Sequence, residues 1–139
     1  MSTDIRPELS RKNPYWISRH RFYELRHFCM QYDEWKAALA AINVNGKDPL
    51  AGLDKPKNSG TGDPTYQMVL MREEYTNKID MVEKAAKEGS PELGNYIFKG
   101  VTKGISFDHL MAQDQIPCCK EMYYDHYRRF FWLLSNIRK

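Results

Sequence analysis

Residues able to do chemistry gather in the last third of this 139-residue chain, where His109, Cys118, Cys119 and His126 lie close in sequence. Imidazole and thiolate are zinc ligands, yet these spacings match no zinc pattern. His20 and His27 are two helical turns apart with Glu24 between them, but no third ligand stands at a tight spacing. They read as surface or half-buried histidines. Cys118 or Cys119 at a helix N-terminus would have its thiolate favoured by the helix dipole, although capping or packing is the ordinary role. Glu73-Glu74 reads as a solvated pair. The chain has no phosphate loop, no GxGxxG and no Ser-His-Asp arrangement. The expectation is a protein that is not an enzyme, with no metal and no cofactor.

A second chemistry in the same region is recognition. Lys120, Tyr124 and Arg128 recur at four-residue spacing from Cys119 onward, followed by Arg129 and preceded by Lys99 and Lys103. On a helix, Lys120, Glu121, Tyr124, Asp125 and Arg128 lie opposite the apolar stripe Tyr123, Tyr127, Phe130, Phe131, Leu134 and Ile137. A helix buried on one side and carrying Lys, Tyr and Arg on the other meets the needs of major-groove docking.

Local signals place that helix. Gly104 suits the left-handed end of one helix and Ser106 the N-cap of the next, whose apolar face is Phe107, Leu110 and Met111. Ile116-Pro117 opens a turn, since proline pushes Ile116 out of the helical region and suits the first turn of a new helix. The second helix is expected from about Cys118 to Ile137, giving a helix-turn-helix over 105–137. A plain helical hairpin packed into a core is the competing reading.

The segment 96–134 resembles the fourth region of bacterial sigma factors. It resembles more closely the C-terminal module of RinA- and ArpU-like phage transcription activators, through Ile116-Pro117-Cys118 and Arg128-Arg129-Phe130-Phe131 with Leu134. The whole chain is also similar to small Firmicute phage and prophage proteins in the blocks starting at Tyr15 and Tyr123. Two positions differ from that pattern. Met111 stands where a small residue lets the helices approach, and Asp114-Gln115 replaces an apolar-Gly pair. The resemblance implies a phage-encoded regulator that binds double-stranded DNA. Lys120 and Arg128 would then meet phosphate or guanine edges, Cys119 and Tyr124 would lie near the bases, and Arg129, Lys99 and Lys103 would rest on the backbone.

The rest of the chain is read as its support. Residues 1–17 are expected to form an arm ending in the apolar staple Pro14-Tyr15-Trp16-Ile17. Ser18 caps a helical segment over 18–42. There Leu25, Phe28, Tyr32, Trp35, Leu39 and Ile42 repeat every three and four residues, with a bend near Tyr32-Asp33. That seam is either a homodimer interface or a core face, and the core face is favoured because so short a chain has few other core sources. Residues 43–62 are rich in Asn, Gly and Pro and read as a mobile linker. Asp63-Pro64 starts a helix that Gly89 ends, and Ser90-Pro91-Glu92 starts another. No strand pattern occurs. The expected fold is all-α, a small helical bundle of about five helices, with the helical domain at 63–139.

Composition bounds the function. Charged residues are 28% and mean hydropathy is −0.70, no apolar run approaches the ~20 residues of a membrane span, and the N-terminus lacks a signal-peptide core. These features point to a cytoplasmic protein with no membrane partner. Three cysteines, two of them adjacent, argue against a disulfide framework. The net charge of +3 divides as +2 over 1–45, −1 over 46–89 and +2 over 90–139, little for a nonspecific DNA binder. The alternative partner is therefore a host or phage protein or ribonucleoprotein. An inhibitor of a host defence nuclease (anti-CRISPR-like) would engage it through Trp16, Arg19, Arg21, Tyr23 and Arg26, residue types that anchor protein interfaces.

Overall fold

The structure, a computed structural model, describes residues 13–45 and 64–138. Among these residues there are six helices and no strand. They are α1 (Arg19–Cys29), α2 (Tyr32–Asn45), α3 (Pro64–Gly89), α4 (Gly94–Lys103), α5 (Phe107–Asp114) and α6 (Lys120–Ile137). The all-α bundle expected from the periodicities is the fold. The first part of the arm, most of the linker and the Asp63 cap lie outside the described residues.

Two compact units divide the chain: one runs up to Gln31 and resumes at Met81, and the other is Tyr32–Asp80. The division between the units falls at 31–32, between α1 and α2. Ser18 does cap α1, its Oγ accepting the Arg21 N–H at 3.3 Å. The helix stops at Met30, whose N–H donates to the Arg26 carbonyl, two residues ahead of the anticipated bend. Leu25 and Phe28 are buried in the first unit; Tyr32, Trp35 and Ile42 are buried in the second. Five of the six seam residues thus serve the core of one unit or the other, as the core-face reading expects, and Leu39 is half-buried.

In the second unit α2 and the first part of α3 run antiparallel. Arg72 donates to the Asn43 side chain at 3.0 Å, and Lys78 lies 5.9 Å from the Trp35 ring centroid. α2 continues to Asn45, three residues into the expected linker.

The first unit is built around α6. Phe130, Phe131 and Leu134 are fully buried, as are Leu25, Val82 and Ile97, and the Phe22 ring meets Phe131 edge-on at 5.1 Å. The staple is part of this unit, not a free arm: Ile17 is buried and the Tyr15 ring meets Trp132 edge-on at 5.5 Å. Ser90 caps a turn, not a helix. Its Oγ accepts the Leu93 N–H at 3.0 Å, and α4 starts only at Gly94, whose added Cβ would lie 2.9 Å from the Ala86 carbonyl oxygen.

Candidate nucleic-acid interface

Five local features build the segment from α4 through α5 to α6. Gly104 ends α4 in the left-handed region, φ 66° and ψ 37°. Ser106, extended, caps α5 by accepting the His109 N–H at 3.4 Å. Gln115 ends α5 with φ 52° and ψ 58°, and its N–H reaches the Met111 carbonyl at 3.0 Å. Ile116 is buried and pins the turn. Cys119 is the N-cap of α6, extended at ψ 167° and with no side-chain capping bond. The helix begins at Lys120, two residues later than expected, so Pro117 belongs to the turn and not to the first turn of α6.

The two departures from the family pattern have different consequences. Met111 is 37% exposed, so it is not at a helix crossing and obstructs nothing. Gln115 occupies the conformation that glycine would take. An L side chain there costs about 1 kcal/mol. Gln115→Gly is therefore expected to stabilise the unit by roughly 0.5–1 kcal/mol, read as a higher urea midpoint. A lower midpoint would mean that the Gln115 side chain contributes more than its backbone costs.

Close approach occurs instead between α4 and α6. A Cβ placed on Gly100 would lie 2.3 Å from the Tyr123 hydroxyl. Tyr123 is fully buried, in contact with the rings of Phe107 at 5.4 Å and Tyr124 at 5.0 Å. Its hydroxyl has no hydrogen-bond partner among the described residues.

On the opposite side of α6, Lys120, Glu121, Tyr124, Asp125 and Arg128 line an open groove of about 390 Å³. Cys119, Glu121, Asp125 and Arg129 are exposed, as is Met122 at 49%. The assignment of Tyr124 to the outward face is corrected. It is 5% exposed, its ring packs on Tyr127 at 5.3 Å, and its hydroxyl oxygen accepts the Phe107 N–H at 3.5 Å. α5 covers it, and it forms the floor of the groove.

The basic residues of this surface have acidic neighbours. Lys120 stands 3.9 Å from Asp108 across the α5–α6 step. Arg128 pairs with Asp125 at 2.9 Å, and Lys99 joins α4 to α5 through Asp114 at 2.9 Å. Arg129 lies over the Tyr15 ring, 6.0 Å from its centroid, and Lys103 is exposed at the end of α4. The groove therefore carries two cations and two anions, not a continuous basic face. Exposed pairs of this kind are worth about 1 kcal/mol or less, so phosphates can displace them. Asp125 and Arg128 are an i,i+3 pair on one helix face, whereas the Asp108 and Asp114 pairings depend on how the helices are placed.

Burial, and next the neighbouring Cys119, push the Cys118 thiol above its ordinary value. Among the described residues no group of three or more His, Cys, Asp or Glu side chains gathers in metal-binding geometry. Nor is any described helix long and apolar enough to cross a membrane.

Of the residues assigned to a protein partner, Arg19 is exposed, while Trp16, Tyr23 and Arg26 are half-buried, with Tyr23 packed on Phe22 at 5.2 Å. Arg21 is committed elsewhere. Its guanidinium donates to Ser135 Oγ at 3.1 Å, to the Ser135 carbonyl at 3.2 Å and to the Arg138 carbonyl. That corrects its assignment as a partner anchor: it holds the end of α6. No protein-family model, curated protein or solved structure matches the chain.

Proposed function

We propose that this chain is a helix-turn-helix protein that reads double-stranded DNA, a transcriptional regulator of the phage-activator kind that its C-terminal segment resembles. One observation carries the reading. α6 is divided around its circumference, Tyr123, Tyr124, Phe130, Phe131 and Leu134 being buried while the groove from Lys120 to Arg128 opens along its first half. Recognition helices present their N-terminal residues to base edges in this way. Lys120 and Arg128 meet phosphate or guanine. Cys119 and Met122 stand at the same end, and Tyr124 supports the groove from beneath.

The local acids set the energetic character of the contact. Each cation must exchange a carboxylate for a phosphate, so the gain on binding a random duplex is small. Affinity then depends on base contacts, as a sequence-specific reader requires. Lys120→Ala and Arg128→Ala are expected to weaken binding to a labelled duplex and to lower the slope of log K against log salt by about 1 each. Fluorescence anisotropy across a salt series measures both. Wild-type affinity and slope in both variants would refute the reading.

The balanced charge of the groove also favours a second reading, a protein-binding module such as a nuclease inhibitor. A surface of alternating sign with exposed Met122 beside it suits a protein partner of complementary pattern. Retention on duplex DNA at ~150 mM salt with sequence preference separates the first reading from the second.

A further inference from the structure

We infer that Glu121 is a specificity-determining residue, reading the amino group of a cytosine in the major groove; the inference rests on the DNA-binding reading proposed above. Two acids line the groove, Glu121 and Asp125, and Asp108 and Asp114 lie on the neighbouring helix α5. Asp108, Asp125 and Asp114 are each taken up by Lys120, Arg128 and Lys99 respectively. Glu121 is exposed, lines the groove, and makes no ion pair or hydrogen bond with any described residue. It is the second residue of α6, immediately after Lys120. The helix dipole favours an anion at that position, which sets the carboxylate in place on a surface that must approach phosphates and leaves its oxygens free to accept a hydrogen bond.

The chemistry of the groove edge identifies what the carboxylate can meet. An ionised carboxylate only accepts hydrogen bonds. Guanine presents acceptors at N7 and O6 and thymine an acceptor at O4, all of which repel it. Adenine offers its N6 amino group, but with the N7 acceptor beside it. Cytosine presents the N4 amino group without a neighbouring acceptor on its own major-groove edge, and Glu or Asp accepting from it is a recurring contact. Lys120, one residue earlier, supplies the donor that guanine O6 and N7 require, so the two residues together suit a step rich in G·C pairs. Asp125 starts paired with Arg128 at 2.9 Å and becomes available only when Arg128 turns to a phosphate, whereas Glu121 has no pair among the described residues to give up.

The test is selection from a randomised duplex pool with the full-length wild-type chain, Glu121→Ala and Glu121→Gln, with helical content checked by circular dichroism. Wild type is expected to enrich sequences with a fixed C·G pair at one position. Glu121→Ala should lose at least about tenfold discrimination at that position alone. Glu121→Gln should shift it toward A·T, because an amide pairs with adenine N6 and N7; a residue that merely stabilised the helix start would not redirect base preference. Unchanged preference in both variants overturns the inference, as does a uniform rise in affinity for every duplex, which would make Glu121 only a phosphate repellent. A wild-type pool with no enrichment overturns the DNA reading itself, and the inference with it.

Discussion

Gly100→Ala is expected to destabilise the first unit by about 2 kcal/mol, lowering the melting temperature on the order of 5–10 °C. Alanine is worth about 1 kcal/mol more than glycine inside a helix, so an exposed site would show the opposite sign. Here the new methyl would lie 2.3 Å from the Tyr123 hydroxyl and 3.3 Å from Leu110 Cδ1. Tyr123 has nowhere to retreat: it is fully buried and surrounded by the rings of Phe107, Tyr124 and Tyr127. Tyr123→Phe supplies the decisive control. It removes the colliding oxygen and also a buried hydroxyl without a partner among the described residues, a defect costing about 1–3 kcal/mol. The single variant should therefore be neutral or stabilising, and it should rescue most of the Gly100→Ala loss. Additive effects in the double-mutant cycle would show that the two sites do not touch.

The same phenol sets a pH dependence. Burial, with smaller contributions from Tyr127, Tyr124 and Cys118, raises the Tyr123 pKa well above its ordinary 10. Its contribution is complete below that value. Above it the unfolded chain releases a proton that the folded chain retains, so stability falls as pH rises. Cys29, also raised by burial from 9, starts its own decline one unit earlier. Tyr123→Phe should flatten the urea midpoint above about pH 10 and leave the Cys29 component in place.

Helix boundaries in this chain follow local chemistry where one residue decides the matter. Ser18, Gly104 and Ser106 act as their types dictate, and α3 ends at Gly89. Where two local signals compete, the tertiary structure decides. Asp33 offers a cap, yet the chain turns at Met30-Gln31, and Ser90 secures a turn that lets Gly94 lie against Ala86. The groove was only partly readable for a related reason. Spacing by threes and fours describes a helix buried on one stripe, but α6 contacts α1 and α4 and receives the start of α5 at Tyr124. Its buried arc is accordingly wider than the stripe, and Tyr124 falls inside it. The cations were visible by type, whereas their carboxylate neighbours on α5 were not, because Asp108 and Asp114 reach them only once α4, α5 and α6 are assembled.

Arg21→Ala is expected to destabilise the same unit by about 2–3 kcal/mol, because charge-assisted hydrogen bonds to helix-end carbonyls are lost. The last carbonyls of a helix have no intrahelical donor, and here the Ser135 and Arg138 carbonyls take theirs from a side chain on α1. The guanidinium also reaches Ser135 Oγ at 3.1 Å, so one planar group serves three acceptors on the closing turn of α6. Its pairing with Glu24 adds little, since Glu24 is exposed and solvent screens the pair. Arg21→Lys keeps the charge but cannot present several donors in one plane, and should recover less than half of the loss. Urea denaturation measures the global effect. Amide exchange at 134–138 measures local fraying, which should rise in both variants while the groove near Lys120, at the far end of α6, retains its protection. If Arg21→Ala falls within about 0.5 kcal/mol of wild type, as surface substitutions do, the clamp is not a structural device. Arg21 would then return to the set of side chains available for binding a partner.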